Sequence, residues 1–107
     1  MHKEIDDFIL CIEEERFYDA HEALEEVWFP RRFEKSSEVK VLKGFINAAV
    51  SFELRKRGRE KQSKKVWANY LKYRQFLLQV ESPFKNRYHQ LSRYLEKINT
   101  KNSLYTH

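Results

Sequence analysis

The sequence predicts an all-α protein: a compact single-domain bundle of about five helices with a central apolar third helix. Three observations carry this reading. At 107 residues the chain can bury one core but not a second. Two Gly and two Pro leave few turn residues, while eight Phe, six Tyr and two Trp supply core bulk, so most of the chain belongs to long elements. Apolar residues also recur at intervals of three and four, the period of a helix with one buried face.

The first helix is read over Ile5 to Arg16, where Ile5, Phe8, Ile9 and Ile12 form one stripe and Glu13, Glu14 and Glu15 lie on or near the other side. Cys11 falls off the centre of that stripe and reads as a small packing residue, since a reactive thiol needs the basic surroundings these glutamates do not offer. The second helix places Phe17, Ala20, Leu24, Val27 and Trp28 on its core face. It is expected to stop near Pro30, which lacks a backbone donor and constrains the residue before it.

Ser36 and Ser37 offer an N-cap for a third helix that runs to Gly58, a residue suited to the left-handed position closing a helix. This helix is apolar around much of its girth (Val39, Leu42, Phe45, Ile46, Ala49, Phe52), which makes it the expected centre of the fold. A fourth helix, from about Lys61 to Val80, is expected to bury Val66, Trp67, Tyr70, Leu77 and Leu78. Ser82 and Pro83 then give a cap and a first-turn proline to a fifth, whose Phe84, Tyr88, Leu91, Leu95 and Ile98 keep a four-three-four-three spacing. Residues 1–99 form the expected domain and residues 100–107 a polar C-terminal tail.

Bulk properties narrow the function classes. No apolar run approaches the roughly 20 residues needed to cross a bilayer, so no membrane role is expected. The single cysteine cannot form an internal disulfide and the first residues carry no secretory h-region, which points to the cytoplasm. Charge is unevenly placed. Residues 1–28 hold ten acidic against two basic side chains, a balance of −8 that leaves +13 on residues 29–107 within a net +5. Pairing of an acidic hairpin with basic helices is the favoured reading, and a surface for nucleic acid or an acidic partner is the other.

The candidate site is the run Ala20-His21-Glu22-Ala23-Leu24-Glu25-Glu26-Val27-Trp28. On a helix, His21 and Glu25 stack one turn apart at the border of the buried stripe, while Glu22 and Glu26 turn further towards solvent. A histidine and a carboxylate so spaced can share a metal ion, or can act as a pair in which the carboxylate orients the imidazole and raises its basicity. The last position of His-Glu-x-x-Glu departs from the His-Glu-x-x-His of zinc proteases, and no second helix carries a matching Glu-x-x-His, so neither a zincin nor a di-iron site is read. The plain alternative is a boundary histidine bonded to a neighbour beside wet glutamates.

Glu53 projects into the middle of the third helix's apolar arc, where a carboxylate is costly unless paired. A partner is expected from another helix: His21, Arg74, or one of Tyr70, Tyr73 and Tyr88. Arg74 lies in the apolar arc of the fourth helix, so a buried Glu53–Arg74 ion pair is the simplest structural account. The segment Arg55 to Lys65 holds seven basic residues and one acidic. It complements the dipole of a helix end. It also offers phosphate binding beside Trp67, Tyr70 and Tyr73, but two of those aromatics fall on the predicted core face, which disfavours single-stranded nucleic acid.

These residues resemble a known family, the small all-helical bacterial and archaeal proteins with domain of unknown function 309. The resemblance rests on Phe17, on Ala20-His21-Glu22-x-Leu24-Glu25-x-x-Trp28, on Gly44-x-x-Asn47-x-Ala49, and on Arg57-Gly58 closing the same helix, and it spans about residues 8–75. It implies a helical bundle whose His-Glu-x-x-Glu-x-x-Trp helix faces the Gly-containing helix. The family pattern favours glutamine where Asn47 stands, and it brings no established activity. Gly44 would let a neighbouring backbone approach closely or leave a space beside the acidic helix.

The functional expectation is therefore a ligand-binding or acid/base site, with a metal-assisted version, in which His21 is base or metal ligand, Glu25 its partner, and Glu22 an accessory carboxylate. Asn47, Glu53 and Arg74 would contact ligand and Trp28 would wall the pocket. The residues specify no cofactor and do not decide between an enzyme and a binding domain. The competing class is an interaction module using Glu13, Glu14, Glu15, Glu22 and Glu26 or the basic 55–65 segment, with a homodimer through exposed aromatics as a third.

Overall fold

In the computed structural model, which describes the backbone of residues 1–105 and the side chains of residues 1–101, the expected all-α architecture is present. The helices are α1 (His2–Glu13), α2 (Phe17–Trp28), α3 (Ser37–Lys56), α4 (Glu60–Arg74) and α5 (Lys85–Tyr105), with 3-10 turns at Phe29–Arg31 and Leu77–Gln79. No strand is present among the described residues, and none of their helices is long and apolar enough to cross a membrane.

Helix α1 begins about a turn earlier than its apolar stripe suggests, its start held by the terminal ammonium 3.2 Å from Glu4. It ends in a tight turn in which the Arg16 amide donates to the Cys11 carbonyl and Glu15 adopts φ 57°, a left-handed position usually given to glycine. Lys56 Nζ donates to the Glu15 carbonyl at 2.9 Å and so ties this turn to the end of α3. Cys11 is buried, and that burial pushes its thiol above its ordinary range, in keeping with a packing role.

Helix α3 is the centre. The Ser36 hydroxyl accepts from the Val39 amide at 3.2 Å, and Gly58 closes the far end at φ 76°. Both α2 and α4 pack along α3, and α1 packs on α2. Gly44 decides the fit against α4: a β-carbon there would lie 2.9 Å from Tyr73 Cβ, so only glycine permits this approach. Further along the same interface Ser51 and Ser63 are fully buried and exchange hydrogen bonds, each hydroxyl donating to the other's carbonyl at 3.0 and 2.8 Å.

Helix α4 stops at Arg74 rather than near Val80. A 3-10 turn over Leu77–Gln79 leads into extended backbone at Val80; Leu77 and Val80 are buried, while Leu78 is 79% exposed, contrary to its predicted core position. Val66 and Trp67 are half-buried. The predicted stripe of α5 does face the core, with Tyr88, Leu91 and Leu95 buried and Phe84 and Ile98 packed beside them. Its backbone continues through Tyr105 where a polar tail begins in the sequence reading; residues 106–107 lie outside the described residues.

Polar side chains fasten α5. Tyr88 donates to Glu38 at 2.7 Å, Arg87 pairs with Asp6 at 2.6 Å, and Arg55 donates to Asn99 at 3.1 Å. The Tyr70 hydroxyl meets Ser92 and Glu96 at 2.7 and 2.9 Å, and Arg74 pairs with the same Glu96. Of the ion pairs among the described residues, Arg87–Asp6 alone joins the acidic first 28 residues to the basic remainder, so the expected pairing of the acidic hairpin with basic helices is realised once; Lys3 and Arg16 pair locally with Asp7 and Asp19, and an excess of negative charge stays on this surface.

Candidate functional site

Helix α2 presents His21 and Glu25 as the spacing requires: His21 Nε2 contacts the Glu25 carboxylate directly, with the two side chains 23% and 39% exposed. The ring is anchored at one nitrogen only. Its Nδ1 is buried without a hydrogen-bond partner, whereas a purely structural histidine usually engages both. Because a carboxylate accepts, the proton belongs on Nε2 in the neutral ring, which leaves Nδ1 with its lone pair.

His21 stands on the ridge between two clefts. The first is a shallow, open depression of about 430 Å³ lined by Tyr18, His21, Glu22, Glu25, Glu26 and Phe29, all from α2 and the turn after it. The second, about 230 Å³, opens between α2 and the end of α3 and brings His21 together with Phe17, Val50, Glu53, Leu54 and Arg57. Tyr18 and His21 pack with ring centroids 5.5 Å apart. Hydrogen bonding to the Glu22 carboxylate, and then its charge, pushes the Tyr18 phenol above its ordinary value.

The remaining predicted residues distribute differently. Glu53 shares the second cleft with His21, but its ion-pair partner is Arg57, one turn along its own helix at 2.9 Å, not a residue of another helix. The carboxylate is 21% exposed because the start of α2 leaves the cleft open there. Arg74 pairs with Glu96, so the Glu53–Arg74 pair is absent. Asn47 donates to the Lys43 carbonyl on its own helix at 2.8 Å. Trp28 lies under Lys43 Nζ, 4.2 Å from the ring centroid, and lines a separate cleft with Phe33 and Tyr73, so it does not wall the His21 clefts.

Residues 5–66 match the family model for a domain of unknown function, DUF309. The chain belongs to the DUF309 family. Both halves of the candidate site, His21 with Glu25 and Glu53 with Arg57, fall inside the matched segment, whereas α5 lies beyond it. No curated protein and no solved structure matches the chain.

Sequence reasoning missed Tyr18, Phe29 and Arg57 as cleft residues. Tyr18 and Glu25 flank His21 at three and four positions, the neighbours of any helical residue, so the aromatic wall was readable from spacing. Arg57 was readable in the same way from Glu53. Phe29 was not, because its position depends on the 3-10 turn beyond α2. Among the described residues no group of three or more His, Cys, Asp or Glu side chains is arranged to hold a metal ion.

The basic 55–65 segment is partly engaged in the fold. Arg55 reaches Asn99, Lys56 reaches the Glu15 carbonyl, and Arg57 reaches Glu53. Trp67 stacks on Phe52 with centroids 5.8 Å apart and packs on Tyr70 at 4.6 Å, so these two aromatics serve the interior.

Proposed function

We propose that the protein binds a small ligand across the His21 ridge and that His21 acts there as a general base, with Glu25 orienting the ring. The observation that carries this is the half-satisfied imidazole: one nitrogen faces a carboxylate, the other has no protein partner, and the ring separates two clefts. Glu25 fixes the tautomer and ring plane. The pair is 23% and 39% exposed, so a ligand proton is taken up by His21 and Glu25 as a unit, giving an imidazolium against that carboxylate, which stabilises the charge. Glu22 and Tyr18 offer an acceptor and a donor on one side of the ring, and Glu53 with Arg57 offers a charged pair on the other. A hydrolytic proton transfer suits this set. A metal-assisted version would need at least one ligand more than the His21–Glu25 pair, since catalytic zinc takes three from the protein.

The test uses NMR of labelled protein with a fragment library, together with hydrolysis of p-nitrophenyl esters. Fragment-induced shifts are expected to cluster on Tyr18, His21, Glu22 and Arg57. Ester hydrolysis is expected to fall by about 10²-fold or more in His21→Gln, with unchanged circular dichroism. Shifts scattered over the surface would remove the binding claim, and equal rates in wild type and His21→Gln would remove the base. A rise in melting temperature with added zinc that is lost in Glu25→Gln would replace the acid/base role by metal binding.

A further inference from the structure

The cleft that holds Trp28 lies two turns along α2 from His21, beyond Phe29, and has a different chemistry. It is an open groove of about 390 Å³, and its walls are aromatic and cationic: Trp28, Phe33 and Tyr73 with Arg32, Lys40 and Lys43. Lys35 adds a fourth positive charge. The single lining carboxylate, Glu34, is drawn to Arg31 at 3.2 Å. None of the four cations of the cleft makes an ion pair among the described residues; three rest on rings instead. Lys43 Nζ is 4.2 Å from the Trp28 centroid, Lys40 Nζ 4.3 Å from Phe76, and Arg32 Cζ 3.7 and 4.5 Å from Phe29 and Phe33.

Like charges gathered in one cleft repel, and cation–π contact at exposed positions offsets that repulsion only weakly. An anion of high charge density is the complement. Phe33 is 83% exposed with the Arg32 guanidinium over one face of its ring, which leaves the other as a flat apolar face backed by a cation, able to stack a nucleobase. We propose that this cleft binds a nucleoside polyphosphate, its base on the face of Phe33 turned away from Arg32 and its phosphates among Lys35, Lys40 and Lys43. A mononucleotide fits better than a strand. The other basic segment begins at Arg55, twelve residues further along α3 and so about 18 Å away, and its aromatics Trp67 and Tyr70 are turned inward. Gly44 supports the same wall, because the close approach of α4 that it allows is what brings Tyr73 to the cleft.

The experiment is calorimetric titration of the full chain with ATP, adenosine and inorganic pyrophosphate, with the indole N–H of Trp28 followed by NMR; Trp67, stacked in the interior, is the internal reference. ATP is expected to bind saturably, to move the Trp28 signal and not that of Trp67, and to weaken as salt is raised. Phe33→Ala, at an exposed position, is expected to weaken ATP about tenfold and leave pyrophosphate unaffected, whereas Lys43→Gln weakens both. Absence of saturable ATP binding at low salt would overturn the proposal. So would pyrophosphate or adenosine binding as tightly as ATP, or an undiminished Phe33→Ala variant. His21→Gln is expected to bind ATP as the wild type does, which separates this cleft from the His21 ridge.

Discussion

Tyr88 is the side chain on which three segments meet. Its ring packs against Phe45 of α3 with centroids 5.9 Å apart, and its hydroxyl donates to Glu38, which also accepts from Arg31 at 2.9 Å. Replacing it with Phe keeps the packing and removes one donor from a mostly buried carboxylate. Tyr88→Phe is expected to cost about 1–2 kcal/mol in urea unfolding. His21 illustrates the opposite case, a polar atom that the fold leaves without a partner, and its pairing with Glu25 was legible because the i, i+4 relation is local to one helix. The Glu53 partner was not. A helical wheel places that residue in the apolar arc, but the wheel does not contain the gap left by the start of α2, through which Glu53 stays partly wet and turns to Arg57.

At the scale of elements, two backbone positions control how helices join. At Gly44 an alanine gains helix propensity of roughly 1 kcal/mol, yet its β-carbon meets Tyr73 Cβ at 2.9 Å, and a side-chain root cannot swing away. Gly44→Ala is therefore expected to be net destabilising by about 1–2 kcal/mol, read as a lower urea midpoint with the slope unchanged. Glu15 is the converse, a non-glycine at φ 57° in the α1–α2 turn. Glu15→Gly relieves a left-handed strain of about 1 kcal/mol while keeping the carbonyl that Lys56 binds. Its melting temperature is expected to rise by several degrees, and a fall would contradict the assignment. Helix starts and stops were legible where a residue type forces them, at Ser36, Pro30 and Gly58. The end of α4 was not, because no residue between Arg74 and Val80 forbids further helix; the chain leaves the helix there in the folded molecule, with Leu77 and Val80 buried and Val80 already extended.

For the whole molecule, the polar contacts that hold α5 make stability depend on pH in both directions. Burial, the largest single influence on Glu38, pushes its carboxyl up, but hydrogen bonds from Tyr88, Ser82 and Arg31 together hold it below its ordinary 4.5. A carboxyl lowered by folding adds stability that is complete above 4.5 and is lost as pH falls through the folded value. Tyr70 and Tyr88 are displaced upwards from 10, first by burial, and Tyr94 is pushed up to about 12 by burial and then by Glu13. Phenols raised by folding keep their contribution below pH 10 and lose it as pH rises further. Melting temperature is thus expected to form a plateau that falls on both sides, with the acid limb flattened in Glu38→Gln. An acid limb identical to wild type in that variant would show that other carboxylates govern it.

The sequence by itself determined the helical class, the order of the five helices, the buried faces of α1, α2, α3 and α5, and the His21–Glu25 contact, since each follows from a period or spacing within one segment. Tertiary structure decided what lies opposite each face: that Glu53 turns to Arg57, that Arg74 goes to Glu96, and that Trp28 faces the cationic cleft and not His21. The physical reason is range. Backbone geometry fixes neighbours three or four residues apart, whereas contacts between helices depend on how closely backbones approach, and here one missing β-carbon at Gly44 sets that distance.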